Sequence, residues 1–137
     1  METKSIILHH LGDHRFRAEN PAGVALEFGG VTPEAGLRPM EILLAALAGC
    51  TAWDVVDIMA KKRQPLARYR VEAMGERADD HPRRYVRCAV VHVGSGPGVT
   101  EEALGRAAAL SHGKYCSVAA SLGVPVEWRV VVEPWEG

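Results

Sequence analysis

The stretch Pro39-Met40-Glu41-Ile42-Leu43-Leu44-Ala45-Ala46-Leu47-Ala48-Gly49-Cys50-Thr51-Ala52-Trp53 decides the fold. Pro39 suits a first helical turn because it has no N–H to lose, and Glu41 suits the positive end of the helix dipole. The pattern continues through Asp54 and Asp57 to Lys61-Lys62-Arg63, cations that suit the opposite end, and Pro65 stops it. About two dozen residues therefore form one helix. Its first half is apolar nearly all round, as expected of a helix covered on every side.

Short strands precede that helix. Ser5 to Leu11 leads into a Gly12-Asp13 turn, then His14 to Glu19, then Asn20-Pro21-Ala22-Gly23 as a second turn, then Val24 to Phe28. Beyond the helix, Arg68 to Arg77 and Arg84 to Val93 read as strands, the latter rich in β-branched residues. Gly94-Ser95-Gly96-Pro97-Gly98 breaks the chain before a helix capped by Thr100, which runs to about Ser111. A short helix from Cys116 to Leu122 ends at Gly123, and Val124 to Glu133 is the last strand. Strands and helices do not alternate regularly, which argues for an α+β fold with a largely antiparallel sheet wrapped around one long helix. The 137 residues are expected to form a single domain, 1–137.

Composition narrows the function. With 47% hydrophobic residues, 24% charged residues and a formal net charge of −1, the chain has no global attraction to nucleic acid or to anionic membrane. The N-terminal run has no signal-peptide pattern, and the stretch from Ile42 to Trp53 is shorter than the roughly 20 residues a bilayer span needs. Three cysteines make no disulfide framework, so the thiols are expected to be reduced, in a cytoplasm.

Cys50 lies inside the apolar helix, and Cys116 lies far downstream in Lys114-Tyr115-Cys116-Ser117. Two such thiols form either a redox pair or a pair of small packing residues. A reactive Cys50 needs a cation nearby, because burial opposes thiolate and the helix N-terminus is too far away. Arg15, Arg17, Arg38 and Lys114 are the candidates, with Arg38 and Lys114 the nearer in sequence logic. Glu41 is about 13 Å from Cys50 along the axis, so it could orient an arginine but not touch the thiol. Asp54, one turn beyond Cys50, is expected to cap solvent-exposed structure, the alternative being that it binds the cation that activates the thiol. Cys88 reads as a packing residue and Trp53 as part of a core or subunit interface. The His9, His10 and His14 cluster, with His112 four residues before Cys116, raises a metal site as a minor alternative; no metal ligand is assigned.

The helix motif Arg38-Pro39-Met40-Glu41-Ile42 to Cys50, joined to Lys114-Tyr115-Cys116-Ser117, resembles the OsmC/Ohr superfamily over essentially the whole chain. Asp54-Val55-Val56-Asp57-Ile58 and Leu110-Ser111 are similar to its YhfA-type branch. The resemblance implies an intertwined homodimer built on two long central helices, with active sites where the subunits meet. It implies a peroxidatic Cys50 that reduces organic hydroperoxides, or hydrogen peroxide, and a resolving Cys116 that closes a disulfide. It implies no bound cofactor, only an external dithiol or lipoyl-type reductant as thiol partner. The sequence departs from the family's peroxidases at two positions: Met40 stands where they carry glutamate, and Glu27-Phe28-Gly29-Gly30 lacks their arginine. Arg38, Glu41 and Lys114 are the available substitutes. The alternative is a non-catalytic protein of the same fold that binds or senses an apolar or thiol-reactive metabolite at the dimer interface.

Overall fold

The computed structural model describes residues 1–137 and contains six strands and three α-helices. Residue contacts divide the chain into two compact units, Met1–Leu43 and Leu44–Gly137.

The first unit holds β1 (Ile7–Gly12), β2 (Arg15–Glu19) and β3 (Ala25–Gly29), an antiparallel meander in that order. The tight β1–β2 turn places Gly12, Asp13 and His14 at positive φ, and a register shift lies between His10 and Gly12. Asn20 organises the β2–β3 turn by accepting the backbone N–H groups of Ala22 and Val24, each at 3.0 Å. Gly29, at φ 89°, packs so closely on the His14 carbonyl that any side chain would collide with it. Phe16 and Phe28, paired across β2 and β3, stack at 5.6 Å. Several large apolar side chains of this unit, among them Ile7, Leu8 and Leu26, are exposed.

Helix α1 (Pro39–Lys61) begins in the first unit and has the bounds that Pro39 and the basic cluster predict. Glu41 Oε1 accepts the Arg38 backbone N–H at 2.9 Å, one half of a capping box. Taken whole, the helix is long and apolar enough to cross a membrane by length and composition, where the shorter run from Ile42 to Trp53 suggested otherwise. Its fully buried side chains form a single line, Leu47, Thr51, Val55 and Met59, spaced i, i+4. Trp53 is 75% exposed and Val56 48% exposed, so the all-round covering expected of this helix is not supplied by a single chain.

The second unit contains β4 (Arg68–Arg77), β5 (Tyr85–Ser95), α2 (Glu101–Leu110), a π-turn (Ser111–Tyr115), α3 (Ser117–Leu122) and β6 (Val126–Val132). The strands form a separate sheet, β4-β5-β6. The β4–β5 pair is antiparallel; β5–β6 is parallel, so three of the four pairings in the molecule are antiparallel and they belong to two sheets rather than one. A parallel pair needs a long crossover, and α2, the π-turn and α3 supply it. Thr100 caps α2 by accepting the Ala103 N–H at 3.1 Å, and Gly123 closes α3 in the left-handed conformation at φ 65°.

The core of this unit is a helix–helix contact. Val55 and Met59 of α1 meet Ala103, Leu104, Ala107 and Ala108 of α2, with Val130 and Val132 of β6 packed around them. On α2, three alanines and the fully buried Leu104 make up its share of this core.

Candidate active site

Cys50 stands half-buried midway along α1, and Cys116 is buried where the π-turn meets α3. Both thiols are unbridged, and Cys50 lies near enough to Cys116 to perturb its ionisation. Burial pushes the Cys116 thiol up to about 11, and the neighbouring Cys50 sulfur acts in the same direction. The Ala119 and Val118 N–H groups work against this, the former donating to Cys116 Sγ at 3.4 Å. Cys116 therefore holds its proton at neutral pH. Cys88, on β5, is buried elsewhere, and burial alone raises its thiol.

A cleft of about 370 Å³ opens beside Cys116, lined by His112, Lys114, Val124, Val126 and Trp128 among others. Its apolar wall comes from β6 and α3 and its polar rim from the π-turn.

A buried polar chain lies behind this cleft. The Tyr69 hydroxyl is 2.7 Å from His92 Nδ1, His92 Nε2 is 2.9 Å from His112 Nε2, and Thr51 Oγ1 is 3.3 Å from the same His112 nitrogen. Trp128 stacks parallel to the His112 ring at 5.5 Å. Burial, reinforced by the neighbouring His112, pushes His92 down to about 4. Burial also lowers His112, while the Asp54 carboxylate pulls it back. Both rings are thus neutral at pH 7, and His112 Nδ1 is left buried without a hydrogen-bond partner. Asp54 is not a solvent cap as expected: half-buried, it accepts the hydroxyl of buried Ser111 at 2.8 Å.

The remaining sequence candidates are spread over both units. Arg38 and Glu41 belong to the first unit, where the Arg38 guanidinium donates to the Val31 carbonyl at 3.3 Å and lines a cleft with His14, Phe16 and Phe28. Glu41 engages the Arg38 backbone, not its guanidinium. Lys114 lines the Cys116 cleft, with its ammonium 5.2 Å from the centre of the Tyr115 ring. No group of three or more His, Cys, Asp and Glu side chains is arranged to hold a metal ion. The histidines of the suggested metal site are otherwise engaged: His9 Nε2 pairs with Glu19 at 3.0 Å and His10 packs on Phe16.

Sequence reasoning missed Tyr69, His92, Thr51 and Ser111. His92 did carry a signal, a polar residue within Val90-Val91-His92-Val93 in the most buried strand of the chain. A buried polar side chain must find a partner, and here it finds two.

Residues 32–130 match the family model described as OsmC-like protein. Protein YhfA of Escherichia coli (strain K12) is 35% identical over 107 residues, covering 78% of this chain and 80% of that protein. A hypothetical protein from Aquifex aeolicus VF5 superposes with a TM-score of 0.83 at 33% identity, covering 98% of this chain and all (100%) of that one. An organic hydroperoxide resistance protein OsmC from Legionella pneumophila, also described as a predicted redox protein, superposes with a TM-score of 0.63 over 98% of each chain. At 14% identity, that last likeness is one of fold. By the span of the family model and the identity to YhfA, this chain belongs to the OsmC-like proteins.

Proposed function

We propose that this protein is a thiol-dependent peroxidase that reduces organic hydroperoxides, and hydrogen peroxide, in oxidative-stress defence. The observation that supports the reading is that two unbridged thiols remote in sequence, Cys50 and Cys116, lie near enough for one to perturb the other. The Cys50 thiolate attacks the terminal peroxide oxygen; the O–O bond breaks, the alcohol leaves with a proton, and Cys50 becomes a sulfenic acid. Cys116 then attacks the Cys50 sulfur, the S–O bond breaks and water leaves, giving a disulfide. A small or lipoyl-type dithiol reopens it by exchange and is itself oxidised to a disulfide. The environment supports this division of labour, since a thiol raised as Cys116 is suits the second step and not the first.

The chain acts as one OsmC-like domain within a homodimer, in the cytoplasm, without a bound cofactor. Exposed Trp53 and Val56 on α1, and exposed Ile7, Leu8 and Leu26 in the first unit, are the apolar surfaces that a second copy would cover. Arg38, Glu41 and Lys114 are the residues proposed to orient or activate the Cys50 thiolate.

The test is steady-state consumption of cumene hydroperoxide with a dithiol as reductant. Turnover is expected in the wild type and lost in Cys50→Ser; undiminished turnover in that variant sinks the reading. A second reading, a metabolite-binding protein with a sluggish thiol, draws on the Arg38 guanidinium and Lys114 ammonium resting on Val31 and Tyr115. It predicts that Cys50 reacts with peroxide no faster than a free thiol of ordinary pKa, about 8.5.

A further inference from the structure

The two thiols arrive from different elements, Cys50 on α1 and Cys116 at the end of the π-turn, and two hydrogen bonds join those elements beside the sulfurs. Ser111 Oγ donates to Asp54 Oδ2 at 2.8 Å, and Thr51 Oγ1 meets His112 Nε2 at 3.3 Å. Thr51 directly follows Cys50, and Asp54 lies one turn further along α1. Ser111 and His112 open the π-turn, which closes with the Cys116 N–H donating to the Ser111 carbonyl at 2.8 Å. Cys116 is thus tied through its own backbone to the residue that Asp54 holds. His112 is fixed in turn by His92 at 2.9 Å and by the parallel Trp128 ring. A π-turn inserts an extra residue into a helical path and re-aims the residues after it, a device that recurs at functional sites.

We propose that the Asp54–Ser111 and Thr51–His112 hydrogen bonds form a clamp that sets Cys116 against Cys50, with Asp54 and His112 as positioning residues for disulfide closure. The inference rests on the reading of Cys50 as attacking thiol and Cys116 as resolving thiol. The clamp acts on the second step only, because peroxide meets Cys50 before Cys116 is needed. Closure forms the Cys50–Cys116 bond and expels whatever group the Cys50 sulfur carries, hydroxide leaving as water or an aryl thiolate leaving as such. The Cys116 proton goes to that leaving group or to solvent. Intramolecular attack depends steeply on placement, and a displacement near 1 Å can slow it roughly a hundredfold.

The experiment uses an aryl disulfide, 5,5′-dithiobis(2-nitrobenzoate), so that it does not depend on peroxidase activity. In a Cys88→Ala background the first aryl thiolate reports attack by Cys50, and the second reports closure by Cys116. Asp54→Ala and Thr51→Val are expected to leave the first release within about twofold and to slow the second at least tenfold. Asp54→Asn, which keeps an oxygen for the Ser111 hydroxyl, and Thr51→Ser, which keeps the hydroxyl facing His112, should restore the second release to within about threefold. The Thr51 pair decides the matter if Asp54→Ala does not fold. An unchanged second release in Asp54→Ala and Thr51→Val overturns the clamp. So does a parallel fall of both releases that neither Asp54→Asn nor Thr51→Ser reverses. Rapid clamp-dependent closure in a protein that ignores cumene hydroperoxide would refute the peroxidase reading and leave the clamp standing.

Discussion

Acid should destabilise this protein through His92 before its carboxylates titrate. The side chain is fully buried, at 0% exposure, and burial together with His112 pushes it from 6.5 down to about 4. Unfolded, His92 takes up a proton near pH 6.5; folded, it does so only near pH 4. Between those values the unfolded chain binds more protons than the folded one, so stability falls as pH falls. Integrated from pH 7 to pH 5, this single group removes about 2 kcal/mol. His112, lowered in the same direction, adds to the loss. Glu19 and Glu76 are also shifted, both downward, so their contributions disappear at lower pH and leave this window to the histidines. Urea unfolding at pH 7 and pH 5, at fixed protein concentration, measures the effect, with His92→Gln as the comparison. The variant is expected to be less stable at pH 7, because Tyr69 and His112 lose their partner, and to lose about 2 kcal/mol less between the two pH values. Parallel pH dependence in the two proteins would refute the assignment of His92 as a histidine kept neutral by the fold.

Cys116→Ser should still consume one equivalent of cumene hydroperoxide per chain but lose catalytic turnover with dithiol by at least about tenfold, as followed by thiol consumption and by mass spectrometry of the Cys50 sulfenate. Trp53→Asp places a charge on an exposed apolar face that the proposed dimer covers, and sedimentation equilibrium should show dissociation at micromolar concentration; an unaltered dimer would remove this face from the interface. Thr100→Ala removes the hydroxyl that accepts the Ala103 N–H and should cost about 1 kcal/mol in urea unfolding.

Helix α1 was legible because its stop and start signals are local: Pro39 and Glu41 at one end, Lys61 and Pro65 at the other. The strands were legible for the same reason, to within one or two residues. Their partners were not. Nothing local distinguishes one six-stranded sheet from two three-stranded ones, and the parallel β5–β6 pairing is decided by how the crossover packs. The π-turn was invisible because an i→i+5 bond needs no particular residue, and Gly113 reads equally well as a break. Of the site, the cysteines stood out through family resemblance, whereas the polar chain did not. Asp54 looked like a solvent-facing residue on α1, since the Ser111 hydroxyl that donates to it comes from 57 positions away. His92 looked like an irregularity in an apolar strand because both of its partners are distant in sequence, Tyr69 on β4 and His112 in the π-turn.

That hidden polar chain bears on the chemistry through the weakness of Cys116 as a nucleophile. With its thiol pushed up to about 11, only about one molecule in ten thousand carries the thiolate at pH 7, some three-hundredfold fewer than for an ordinary cysteine. The greater intrinsic nucleophilicity of a more basic sulfur recovers roughly tenfold of that. The result is a thiol poorly suited to meeting a diffusing peroxide, so the proposed mechanism assigns the first attack to Cys50. A deficit of roughly thirtyfold is small beside the effective molarities of about 10⁵ M or more available to well-placed neighbouring groups. Placement therefore decides whether Cys116 can resolve, and a buried thiol gains in return protection from irreversible over-oxidation while Cys50 cycles. The rigidity that placement demands comes from hydrogen bonds made inside the fold, where the fully buried Ser111 hydroxyl would be left without a partner if it lost Asp54. On the proposed mechanism, the residues that look least like catalysts, Asp54 and Ser111, thus carry the condition under which the two cysteines act as a pair.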